Sequence, residues 1–96
     1  MLQKKNKKKK WNYQIAQKIA LKYNIFLTLK HWYIVSFIRN FYKKYQNIPT
    51  LKMIIISISK KYKISLNTQT LFVLFPKKPL QIACQISGLS NIHICS

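Results

Sequence analysis

No carboxylate side chain occurs anywhere in this 96-residue chain, against eighteen lysines and arginines, so its formal charge is +18. Glu-to-Lys pairs along helices are impossible. So are paired-carboxylate glycosidase sites, aspartic dyads, Asp-supported triads, EF-hands and magnesium sites built on acidic side chains. What remains to hold a fold together is apolar burial. At 49% apolar residues the chain is too hydrophobic for the disordered class, although self-repulsion of the like charges opposes compaction. The length suits a single domain with a modest core.

A basic surface on this scale points to nucleic acid, anionic lipid or an acidic protein partner. Lys, Ile, Asn, Tyr and Phe nevertheless make up 50 of the 96 residues, a bias that AT-rich coding produces by itself, so the charge alone assigns no function. The Lys4–Lys10 run could open a signal peptide. The polar residues after Trp11 interrupt where an apolar segment should follow, so secretion is not expected. The most apolar stretch, Met53 to Ile58, is a fraction of the ~20 residues needed to cross a bilayer. Two cysteines are sparse for a disulfide scaffold and fit a reducing cytoplasm, so the expected location is cytoplasmic, with no membrane partner.

Residues 1–10 read as a basic, disordered leader and residues 11–88 as one helical domain. The spacing of Ile15, Ala16, Ile19, Ala20 and Tyr23 predicts a first helix, ended by Asn24 in the left-handed conformation. Thr28 is the expected N-cap of a second, running to about Gln46, with Trp32, Val35, Ile38, Phe41, Tyr42 and Tyr45 as its apolar stripe. After Pro49, Thr50 should cap a third helix carrying Leu51, Ile54, Ile55, Ile58 and Tyr62, although its β-branched run also suits a strand. Asn67 or Thr68 opens a short helix to Phe75, which Pro76 ends. Pro79 opens a last helix to Ser87 with Gly88 as its C′ residue, and 89–96 reads as a flexible C-terminal arm. The expected fold is all-α: a small orthogonal bundle of about five helices.

Chemistry is confined to few residues. Cys95 sits in the arm and Cys84 in the last helix. Seven steps from Gly88 let an extended arm carry Cys95 roughly 23–25 Å, into another protein's cleft or back towards Cys84. Cys84, beside Ala83 and Ile86, also fits a small buried hydrophobe. His93 could assist proton transfer at Cys95 or be an inert solvated side chain, and His31, beside Trp32, reads as packing or capping. No metal-ligand spacing, glycine-rich phosphate loop or serine triad is present.

Trp11, Leu27-Thr28, His31-Trp32, Phe37-Ile38-Arg39, Leu74-Phe75-Pro76, Ala83-Cys84, Gly88-Leu89 and the penultimate Cys95 occur in an order that resembles the DsrC/TusE sulfur-relay family. That resemblance implies a sulfurtransferase without cofactor, in which Cys95 carries a persulfide. In the TusE branch the implied donor is a TusBCD-like complex. The acceptor is an MnmA-like tRNA thiouridylase making 2-thiouridine at the wobble position, so tRNA is an indirect partner. In the DsrC branch the implied partner is dissimilatory sulfite reductase, and Cys84 would act as a second redox cysteine. The AT-rich bias of a pared-down genome favours the tRNA branch. The sequence departs from the family pattern at Gln69, Val73, Lys78 and Ser90-Asn91-Ile92, which bear on partner docking. A reading from another class is a basic nucleic-acid-binding module with a helix-turn-helix around Pro49.

Overall fold

The computed structural model describes residues 11–89. The basic leader, the arm beyond Leu89, and with it His93 and Cys95, lie outside the described residues. Five helices occur among those residues: α1 (Tyr13–Leu21), α2 (Leu29–Tyr45), α3 (Leu51–Tyr62), α4 (Thr68–Leu74) and α5 (Pro79–Ile86). No strand is present among them, in agreement with the all-α expectation.

Helix N-termini favour negative charge, yet no first turn here has an acid to offer. Neutral acceptors do the capping instead. Asn12 Oδ1 takes the Ile15 amide at 2.9 Å, Thr50 Oγ1 the Met53 amide at 3.1 Å, and Asn67 Oδ1 the Thr70 amide at 2.9 Å. Pro79 starts α5 with a residue that has no N–H to satisfy. The far ends suit the charge better: Lys18, Lys43, Lys44, Lys60 and Lys61 lie in last turns, where the helix dipole favours cations. Asn24, Gln46 and Lys63 close three of these ends in the left-handed conformation, at φ of 61°, 55° and 54°.

One core joins the elements. Ala16 and Ala20 of α1, Ile34, Val35 and Ile38 of α2, and Ile54 and Ile58 of α3 meet Leu71, Phe75, Ile82 and Ile86. The β-branched run of α3 is helical. Its four-residue spacing buries Ile54 and Ile58 together and leaves Ile56 outside, a separation the alternating faces of a strand would not make.

Two expectations need correction. The stripe of α2 faces inward through His31, Ile34, Val35 and Ile38, while Tyr45 is 55% exposed and Trp32, Phe41 and Tyr42 are half-buried. The helix runs past the core it packs on, so its last turn has nothing to cover it. Leu89, assigned to the arm, packs on the core, and its amide donates to Cys84 O at 2.9 Å. No helix among the described residues is long and apolar enough to cross a membrane.

Candidate functional site

The Cys84 end of the bundle is assembled by the C-terminus of α5. Ser87 caps it, Gly88 follows at φ 85°, and the amides of Gly88 and Leu89 return to the carbonyls of Gln85 and Cys84 at 3.0 and 2.9 Å. This double return is a Schellman motif, which needs a left-handed C′ residue, and the chain's single glycine supplies it. Two carbonyls left over are taken by distant side chains. Trp11 Nε1 donates to Ile86 O at 2.7 Å, and Arg39 Nη1 donates to Ser87 O at 2.8 Å. The Arg39 guanidinium lies over the Trp11 ring at 4.0 Å, within cation–π range. Gly88 is pressed against this clamp: a Cβ there would stand 2.7 Å from Trp11 Cδ1 and 3.3 Å from Arg39 Nη1. The point from which the C-terminal segment departs is therefore fixed by α1's leader residue, α2 and α5 together.

Cys84 is fully buried, on the core side of α5 with Ala83 and Ile86. Loss of hydration opposes the thiolate and pushes its pKa up to about 11. At neutral pH it is a thiol, and thiolate is the attacking species. The structure thus gives Cys84 the packing role that its neighbours in sequence suggest. It lies one turn before Gly88, in the helix whose C-terminus Trp11 and Arg39 hold.

His31 is part of the scaffold. It is 5% exposed, and its Nδ1 accepts the Thr28 amide at 2.9 Å while Nε2 faces Leu74 O at 2.7 Å. A carbonyl only accepts, so Nε2 carries the proton and Nδ1 is bare, the neutral form. The ring also meets Phe75 edge-on at 5.0 Å. Burial lowers its pKa below the ordinary value near 6.5, with the Leu74 carbonyl pulling the other way. His31 thereby ties the start of α2 to the end of α4.

Sequence reasoning missed the functional weight of Trp11 and Arg39. One signal was available: Arg39 is the sole arginine beside seventeen lysines. A planar fork that can stack on an aromatic face and donate from its edge is what lysine cannot replace.

Residues 5–95 match the family described as DsrC like protein. The sulfurtransferase TusE of Buchnera aphidicola subsp. Acyrthosiphon pisum is 42% identical over 90 residues, covering 93% of this chain and 79% of that protein. The sulfurtransferase TusE of Photorhabdus laumondii is 39% identical over 86 residues, covering 88% and 78%. Among solved structures, the NMR structure of Allochromatium vinosum DsrC superimposes with a TM-score of 0.76 at 32% identity. The overlap covers 91% of this chain and 79% of that one.

Proposed function

This chain belongs to the DsrC-like protein family, and on that premise we propose that it is a cytoplasmic sulfurtransferase of TusE type that carries sulfur on Cys95. The observation that carries the reading is the extent of the family match, which runs to residue 95 and so takes in the cysteine. The Cys95 thiolate attacks the terminal sulfur of a donor persulfide. The donor's S–S bond breaks, its own thiolate leaves with the electron pair, and Cys95 holds the new persulfide. An acceptor thiolate attacks that terminal sulfur in turn and releases Cys95 unchanged, so no oxidant or cofactor is consumed. The donor is a TusBCD-like complex and the acceptor an MnmA-like tRNA thiouridylase, with 2-thiouridine at the wobble position as the product.

The clamp at Gly88 supports this reading because a carrier segment needs a fixed origin from which to reach a partner. Retention of Cys84 favours a second reading, a DsrC-type carrier for sulfite reductase that uses both cysteines. Burial and the raised pKa of Cys84 weigh against it, since that thiol would have to leave the core before reacting.

Labelled sulfur, loaded from a persulfidated donor and followed to tRNA with the thiouridylase added, tests the proposal. Cys95→Ser should abolish loading and delivery, and Cys84→Ser should leave both intact. Undiminished delivery by Cys95→Ser refutes the carrier role. Loss of delivery in both variants replaces the single-cysteine reading with the two-cysteine one.

A further inference from the structure

The face of α2 turned towards α3 carries a row of aromatic rings that starts on the core, against which Tyr33, Phe37 and Tyr62 pack, and runs beyond it through Phe41 and Tyr45, which the Cys84 end does not employ. Phe37, Phe41 and Tyr45 recur every four residues and form one ladder, with ring centroids 5.8 and 4.7 Å apart. At its other end Tyr33 of α2 stacks flat on Tyr62 of α3, at 3.6 Å and 7° between planes. Between the helices lie two adjoining depressions of about 260 and 320 Å³ that share Phe37, Asn40 and Ser57. Cations lie over two of the rings: Lys44 Nζ is 5.4 Å from the Tyr45 ring centroid and Lys61 Nζ 5.4 Å from that of Tyr62. Arg39, by contrast, leaves α2 in another direction to reach Ser87, so this groove and the α5 clamp occupy different faces of one helix.

We propose that this α2–α3 groove is a binding site for single-stranded RNA, with bases stacked on Phe41 and Tyr45 and phosphates held by Lys44 and Lys61. The inference does not depend on sulfur transfer. Charge complementarity selects the occupant. No acidic side chain exists to oppose a polyanion, and a second copy of the chain would bring the same +18 to the contact. Aromatic rings repeated along a helix, with flexible lysines that rest over them and can swing to a phosphate as a base takes their place, match the alternation of base and phosphate in a single strand. A duplex keeps its bases stacked on one another and cannot offer them to these rings. Ser36, Asn40 and Ser57 line the first depression and supply hydrogen-bonding groups for base edges and 2′-hydroxyls, which favours RNA over DNA.

Charge alone binds any nucleic acid, so the test separates stacking from attraction. Fluorescence anisotropy would follow the full chain binding a labelled, unstructured oligoribonucleotide of about a dozen nucleotides. The RNA duplex, the DNA strand of the same sequence and polyglutamate would be measured beside it, over about 50–200 mM salt. Single-stranded RNA should bind more tightly than the other three at the upper salt. Tyr45→Ala, at an exposed position, should weaken it about 5- to 150-fold while leaving duplex binding and the melting curve unchanged. Phe41→Leu, which keeps apolar bulk and removes the ring, should act in the same direction. Lys44→Gln with Lys61→Gln should reduce the salt slope for the single strand by about 1.4. Equal binding of duplex and single strand, or no effect of either ring variant, would overturn the proposal. DNA binding as tightly as RNA removes the assignment to RNA. Polyglutamate bound with the same dependence on the rings would assign the groove to an acidic protein instead.

Discussion

Acidification should loosen this fold through one side chain, His31. With no Asp or Glu present, histidine is the one side-chain type in the chain whose ordinary pKa lies in the mildly acidic range. In the folded chain the bare Nδ1 of His31 accepts the Thr28 amide at 2.9 Å and lies 2.8 Å from the Thr28 hydroxyl, so a proton added there breaks the amide bond and leaves only that hydroxyl, turned round, to accept it inside a dehydrated site. Burial, the larger influence, lowers the folded pKa, whereas the unfolded chain takes up its proton near 6.5. Between those two values the unfolded state binds more protons, and stability therefore rises with pH. The contribution is complete above about pH 6.5, is lost as pH falls through the depressed folded pKa, and levels off beneath it. One proton limits the slope to about 1.4 kcal/mol per pH unit. Because the unfolded histidine is only half protonated at pH 6.5, the loss between pH 6.5 and 5.5 is at most about 1.0 kcal/mol, and at about 4–8 °C per kcal/mol for a domain of this size Tm should fall by at most roughly 4–8 °C. Thermal unfolding followed by circular dichroism at constant ionic strength measures it. Wild type and His93→Asn should share the falling acid limb. His31→Asn, which loses the bond to Leu74, should start lower at pH 7 and stay flat. A His31→Asn curve parallel to wild type, or a wild-type Tm that rises on acidification, would refute the argument.

Gly88→Ala should destabilise the fold by about 1–3 kcal/mol, since it adds a side chain at φ 85° and drives a Cβ to 2.7 Å from the Trp11 ring; a Tm within a degree of wild type contradicts the clamp. Cys84, fully buried and with its thiol raised to about 11, should resist iodoacetamide at pH 7.5 in the folded protein and react on denaturation; peptide mapping that finds it alkylated at the rate of a free thiol would refute its burial. Phe75→Ala should cost about 3–5 kcal/mol in denaturant titration, since the ring is 1% exposed and packs against His31.

The sequence by itself determined where most of the helices begin and several of them end, but not Lys63, whose left-handed turn closes α3. Thr50 as a cap, Asn67 or Thr68 as another, Asn24 and Gly88 as left-handed stops, and the prolines at 76 and 79 act through bonds and clashes within about five residues. Those rules can be read without knowing the fold. The cysteine positions and the family they indicate were equally legible. The tertiary structure decided which of α2's apolar rings would be covered. Helical periodicity gives a helix a face, but only the length of the neighbours it packs on determines that Ile34 is enclosed and Tyr45 is not. It decided too that His31 would reach Leu74, and that Trp11 and Arg39 would meet at Gly88, across 43 and more residues of chain. Cys84 shows the boundary between the two most clearly. Its place one turn before the glycine is written in the sequence, but its reactivity is a matter of desolvation, and water is excluded from the thiol only once the helices of the core have closed around α5.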